Sequence, residues 1–534
     1  MLARVVLAAG IAACLATWLG GAAIPYFDYD DATQGIFVND LSFRGDFDAS
    51  FERRPDKQDR YRTGFAAQRL AYSLPLSWLQ RGLGLAAWQV EDLLRAAALA
   101  FGLAGSWLAA CALLPAPRFA RAQRLALVAA LAAHPSLALF ARTGASFYLF
   151  AYALFWLGAW AGFRWVETGR PLWLWTAAAA AALCALNPYP PLVCWPLAAL
   201  LFAAWQGRLA RALRSPALYA AIASAGAAAA AVTALLAAAY DRSLAAFLAR
   251  LAEFRAQRAH SLGLGPLLDY TPLEKLEKLV DQQLLFRIDR LGDLSRDDAV
   301  WTLGAPQPVV WLFALAAAAG IAAALRERAL DDRRALAASG ALLLLFFSIG
   351  FPEGRFALAL LPCWGYFALR GAALALRRDE PRALATGAAL ALLALGTERA
   401  LRERYLPRIR PIQARVEGLR GAAEQLAAQP DGGRGTGFAL PLPRHWMPEL
   451  HFRMLMPEGA SWLPLRRFEA ALAAPDARRP LAALVYAHDR EALARLEASG
   501  FTRSAELRGE VSGQPLWLLQ RAGAQPPAAG GSEP

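Results

Sequence analysis

The sequence predicts an all-α polytopic membrane protein with about eleven transmembrane helices and a small C-terminal α/β domain outside the membrane. Three observations predict this. Hydrophobic residues make up 57% of the 534-residue chain against 19% charged, and the mean hydropathy is +0.31, more apolar than the ~45–50% usual in soluble domains. The apolar residues gather in runs near the ~20 residues that one crossing of the hydrocarbon needs. Beyond residue 396 the pattern changes to short strand-like runs separated by helical ones.

The apolar runs cover residues 4–24, 92–113, 123–140, 147–163, 172–186, 191–206, 218–240, 309–325, 335–351, 356–374 and 383–396. With the N-terminus inside, short inner loops collect Arg118, Arg121, Arg124, Arg164, Arg170, Arg208, Arg211, Arg214 and the arginines of 326–334 and 370–382. The short outer turns hold only Arg142 and Arg355. This asymmetry sets the orientation, because basic residues near span ends stay on the cytoplasmic side. It makes the N-terminus cytoplasmic and puts 25–91, 241–308 and 397–534 outside. Arg4 ahead of an apolar run that ends in Gly21, Ala22 and Ala23 also fits a cleaved signal peptide; with either reading the next loop is translocated.

The formal charge is +13, and only Lys57, Lys275 and Lys278 of the 56 basic residues are lysine. The arginines flank apolar runs instead of interleaving with aromatics, which argues against nucleic acid. The arginine bias and alanine-rich spans point to a GC-rich bacterial genome, and hence to an inner (plasma) membrane. Cys14, Cys111, Cys184, Cys194 and Cys363 all lie in apolar stretches, without the spacing of a disulfide framework or a C-x-x-C metal site.

The chain therefore divides into a transmembrane domain at 1–396 with outer loops 25–91 and 241–308, a soluble outer α/β domain at 397–522, and a disordered tail at 523–534 rich in Pro, Gly and Ala. In the first loop, residues 70–88 read as an interfacial amphipathic helix with Trp78 and Trp88 at headgroup level. The second loop opens with a helical pattern through Leu244, Phe247, Leu248, Leu251 and Phe254, then turns at Gly263, Gly265 and Pro266. In the outer domain, 411–428 and 490–499 read as helices, and 437–442, 481–486, 502–507 and 515–520 as strands.

Asp28, Asp30 and Asp31 follow the outer end of the first span. Carboxylates crowded beside low dielectric have perturbed titration and suit a base or a metal ligand; the competing reading is a solvated loop. Arg142, in the outer turn 141–146, and Arg355, in the turn 352–355, sit against the orientation rule. An arginine at a membrane mouth commonly faces an anion, and its planar fork matches two phosphate oxygens; snorkelling to lipid headgroups is the alternative. His134 before Pro135 reads as a hydrogen-bonded packing residue, residues 187–191 as an outer hairpin, and the charged run 328–334 as a solvated inner loop. His445, His451 and His488 are too scattered to be metal ligands, and the outer domain carries no phosphate loop or nucleophile elbow.

In order and sidedness, four stretches within 1–375 resemble the GT-C class of membrane glycosyltransferases, in the branch with protein O-mannosyltransferases and lipid A aminoarabinose transferases. Tyr29-Asp30-Asp31-Ala32 with Gly45-Asp46 is similar to the acidic pair after the first span. Leu74-Pro75-Leu76-Ser77-Trp78-Leu79 resembles the Pro-Leu-aromatic helix of the first loop, and Phe140-Ala141-Arg142 leading to Tyr148 resembles the Ser-Arg-acid turn that opens the fourth span. Pro352 to Arg355, with Phe356 and Pro362, is similar to a Pro-Arg-Tyr motif and its later proline.

The resemblance implies an enzyme that moves a sugar from a polyprenyl-phosphate donor to a lipid, glycan or protein acceptor at the outer face. It casts Asp30 and Asp31 as catalytic acids or bases and Arg142 and Arg355 as donor-phosphate binders. The chain departs from the pattern at Thr143, where an acid usually follows the arginine, and at Ser73, where a basic residue often precedes the proline pair. Adjacent aspartates could still hold one hard divalent ion, so a metal stays open. Two other function classes compete: a transporter or flippase of an anionic lipid or glycolipid, and a catalytically inactive relative. A transporter would place its charges near the midplane, whereas these lie at the outer ends.

Overall fold

The computed structural model describes residues 1–20, 70–115, 121–144, 146–185, 194–240, 271–280, 307–348, 358–376, 378–407, 482–486, 489–511 and 514–521, with single positions at 35, 38, 39, 41, 42, 245 and 249. Asp28, Asp30, Asp31 and Arg355, the turn at 187–191, the run from Leu244 to Phe254 with its later turn, the helix at 411–428, the strand at 437–442 and the tail lie outside the described residues.

The described membrane part is helical. Its elements are α1 (Leu2–Leu19), α2 (Leu70–Gly82), α3 (Val90–Leu113), α4 (Arg121–Ala132), α5 (Pro135–Thr143), α6 (Ser146–Thr168), α7 (Pro171–Ala185), α8 (Trp195–Trp205), α9 (Leu209–Leu213) and α10 (Pro216–Tyr240). They continue with α11 (Pro272–Leu279), α12 (Gln307–Glu327), α13 (Leu330–Ser348), α14 (Leu361–Ala375) and α15 (Asp379–Arg399), which runs on into a π-helical turn at Ala400–Tyr405.

Each of the eleven apolar runs contains helix, and among the described residues 6 helices are long and apolar enough to cross a membrane, or 7 if α4 and α5 are one broken span. The apolar helices Pro171–Cys184 and Trp195–Trp205 are shorter than a full crossing. The run expected as one span at 123–140 is instead bent by 65° between α4 and α5. Pro135 has no N–H to give the preceding turn, and His134 caps the new helix, its Nδ1 accepting from Ser136 N at 3.3 Å.

α6 is hydrophobic all round and 89% buried over its apolar window, which makes it the central helix. It packs along α3, α7 and α8. Two other pairs use glycine to bring backbones together: Gly10 of α1 meets Gly387 of α15, and Gly320 of α12 and Gly371 of α14 each face the other helix's backbone. Small residues allow this approach where lipid supplies no hydrophobic drive between helices.

The run expected as a solvated loop at 328–334 is only half solvated. Arg326, Glu327 and Arg328 are exposed, but α13 starts at Leu330 and turns Asp331, Asp332 and Arg334 into the bundle. Asp332 and Arg334 keep their charges in burial because they are paired. Arg334 binds Glu167, with Nε at 2.9 Å, and donates from Nη1 to Ala112 O at 2.9 Å. Asp332 accepts from Tyr366 OH at 2.8 Å and lies 3.4 Å from Arg370 Nε. Arg208 donates to Val166 O and Arg333 to Trp205 O, so these arginines share the end of the bundle where α6 finishes.

Near the C-terminus, β1 (Ala482–Tyr486), α16 (Arg490–Ala498), β2 (Phe501–Val511) and β3 (Gln514–Arg521) form an antiparallel sheet of order β1-β3-β2 with one helix. Alternation buries Ala483 and Val485 on one face of β1, against Leu493 and Leu496 of α16. Asp489 caps α16, its Oδ1 accepting from Ala492 N at 3.0 Å.

Candidate functional site

The candidate site lies at the opposite end of α6 from the Glu167 cluster, about 34 Å away for a 23-residue helix. There the last turns of α1, α5 and α15 meet. Gly144, in the left-handed conformation at φ 72°, ends α5. Arg142 therefore falls in the final helical turn, and not in an open turn at 141–146 as the sequence reading expects. The 65° bend aims that turn across the bundle toward α1 and α15.

Arg142 is buried, its side chain 3% exposed. Nη2 donates to Thr17 O at 2.6 Å and also binds Glu398 Oε2. Thr17 O is among the last carbonyls of α1, which have no partner inside their own helix. The cation satisfies it and suits the negative end of that helix dipole. Thr397, the neighbour of Glu398, donates from Oγ1 to Ala133 O at 2.7 Å, at the break between α4 and α5. Consecutive residues of α15 thus hold both the break and the arginine.

α2 reaches the same end of α6. Its inward face carries Tyr72, Ser73, Leu76, Ser77 and Gln80, while Trp78 and Leu79 are exposed, consistent with the amphipathic pattern expected of 70–88. Tyr72 OH is hydrogen-bonded to Ser146 Oγ at the start of α6, and its ring meets Phe147 edge-on at 5.8 Å. Gln80 donates to Asn39 Oδ1 at 2.7 Å, and Asn39 in turn donates to Ala87 O at 3.1 Å. Phe140 packs edge-on against Tyr148 at 5.6 Å, joining two residues of one motif.

Several buried polar atoms at this end have no hydrogen-bond partner among the described residues: Arg142 Nε and Nη1, Ser73 Oγ and Trp18 Nε1. A buried donor left unmade costs about 1–3 kcal/mol, more when charged. Native folds keep few such groups, and each calls for a reason. Three of these atoms are N–H donors, two of them on a cation, and the Ser73 hydroxyl can donate or accept, a set suited to an anion.

Of the sequence-predicted site residues, the structure places Arg142; Asp30, Asp31 and Arg355 lie outside the described residues. Sequence reasoning missed Glu398, because the last span was ended at 396. Its signal was an acid just past an apolar run, four residues before Arg402. Among the described residues no group of three or more His, Cys, Asp or Glu could hold a metal ion.

The fold is that of a helical membrane protein of GT-C architecture. The fold is shared with ArnT from Cupriavidus metallidurans bound to undecaprenyl phosphate, at TM-score 0.53 and 12% identity over 97% of this chain and 98% of that one. The apo state of the same protein overlaps at TM-score 0.55 and 13% identity, over 95% and 97%. A weaker overlap, TM-score 0.45 and 11% identity over 91% of this chain and 69% of that one, is with the archaeal oligosaccharyltransferase AglB from Archaeoglobus fulgidus in complex with an inhibitory peptide and a dolichol-phosphate. No family model and no curated protein sequence matches the chain.

Proposed function

We propose that the chain is a glycosyltransferase that moves a sugar from a polyprenyl-phosphate-linked donor to a lipid, glycan or protein acceptor at the outer face of an inner (plasma) membrane. The observation that carries this is Arg142, buried where the ends of α1 and α5 meet α15, with two N–H-bearing nitrogens that have no partner among the described residues. The fold shared with a protein whose structure holds undecaprenyl phosphate supports the choice of anion.

In this reading residues 1–396 are the transferase domain and 397–522 a soluble outer domain, with the N-terminus cytoplasmic. The arginines gathered where α6 ends mark the inner side under the positive-inside rule, which leaves Arg142 outside. Asp30 or Asp31 takes the acceptor proton, a contribution of about 10² to 10⁴ in rate. As the sugar leaves, the lipid phosphate goes from one negative charge toward two. Arg142, with Arg355, is then more complementary to the transition state than to the ground state. A metal at the aspartates would add Lewis-acid help, and no step above depends on it.

The test is native mass spectrometry of the detergent-purified protein beside its Arg142→Ala, Arg355→Ala form. A co-purified polyprenyl phosphate or its sugar ester, lost from the variant, supports the reading and gives the sugar by mass. Ordinary phospholipids bound equally to both would return the arginines to headgroup anchoring and overturn it.

A further inference from the structure

A guanidinium takes a pair of oxygens through one of two forks, Nε with Nη2 or Nη1 with Nη2, and both include Nη2. In Arg142 that atom is fully committed, one hydrogen to Thr17 O and one to Glu398 Oε2. The two nitrogens without a partner among the described residues lie on different edges, so neither fork is complete. A phosphate can engage a fork only by displacing one acceptor. Thr17 O is backbone in the last turn of α1 and cannot turn away. Glu398 is a side chain, 23% exposed where Arg142 is 3%, and its other oxygen already binds Arg402 Nε one turn further on.

We propose that Glu398 is a displaceable counter-ion: it orients Arg142 in the unliganded site, then yields Nη2 to the lipid phosphate and passes wholly to Arg402. The inference rests on Arg142 being the donor-phosphate residue. Carboxylate and phosphate then compete for one nitrogen, and Glu398 sets the affinity of the site. It balances the buried charge when no lipid is bound, and its return favours release of the phosphate product.

The experiment titrates full-length protein in detergent with undecaprenyl phosphate, and with undecaprenol as the uncharged control, reading occupancy by native mass spectrometry. Glu398→Gln keeps shape and an acceptor but removes the competing charge. Undecaprenyl phosphate should bind about tenfold tighter, the difference between a charge-assisted and a neutral hydrogen bond, with undecaprenol unchanged. Arg402→Gln leaves Glu398 to Arg142 alone and should weaken phosphate binding several-fold. A purely structural role does not produce opposite signs. Equal or weaker phosphate binding by Glu398→Gln, in a protein whose wild type prefers the phosphate to the alcohol, overturns the inference alone. A wild type without that preference overturns the donor reading and the inference with it. If Glu398→Gln fails to fold, Arg402→Gln decides: unchanged or tighter binding overturns the proposal.

Discussion

Arg142→Lys separates recognition from architecture at the candidate site. Lysine keeps a cation that reaches Glu398 or Thr17 O, so the contact between α5 and the ends of α1 and α15 survives. It lacks counterparts of Nε and Nη1, the two buried nitrogens without partners among the described residues. A hydrogen bond to a charged group contributes about 1.5–3 kcal/mol, so losing one weakens undecaprenyl phosphate binding by about ten- to 150-fold. Thermal stability should change much less. Breaking a buried ion pair outright costs about 3–5 kcal/mol, but here the pair is kept, and Glu398 is also held by Arg402. The assay pairs native mass spectrometry titration with thermal unfolding in the same detergent. A lysine variant that binds the lipid like wild type but melts at a lower temperature would refute the reasoning and leave Arg142 as a structural clamp.

Other expectations follow from the same geometry. Asp30→Asn with Asp31→Asn should lower turnover by about 10² to 10⁴ while undecaprenyl phosphate still binds; full cellular function in that double variant would end the enzyme reading. Glu167→Gln, which breaks the pair with Arg334 at the far end of α6, should cost up to about 3–5 kcal/mol of stability without changing lipid affinity, as a melting curve and a titration together would show. Gly387→Ala places a methyl 2.5 Å from Val6 O of α1; the overpacking should cost about 1–3 kcal/mol, and a melting temperature equal to wild type would contradict the close crossing.

Much of the membrane architecture was legible because its signal is local. Apolar runs mark helices, since the hydrocarbon leaves a backbone no other way to satisfy its polar groups. The amphipathic face at 70–82 could be read for the same reason: Tyr72, Leu76 and Gln80 recur at helical spacing. The errors arose where local pattern competes with packing. The run at 328–334 looks solvated because it is charged, yet Glu167, Tyr366 and Arg370, remote in sequence, neutralise the buried part. His134 and Pro135 were seen as a polar break, but a 65° turn and its consequence for Arg142 depend on where α15 lies.

What the sequence by itself determined is the helical membrane class and the choice of Arg142 as a chemically informative residue, because hydropathy and charge placement are properties of contiguous chain. Only the tertiary structure decided what Arg142 does with its hydrogens. Thr17 is 125 positions away and Glu398 is 256, and no periodicity links such positions. The ends of α1, α5 and α15 meet because glycines let α1 and α15 cross closely and a proline bends the chain toward them. A buried cation must find its acceptors among whatever that packing brings within reach.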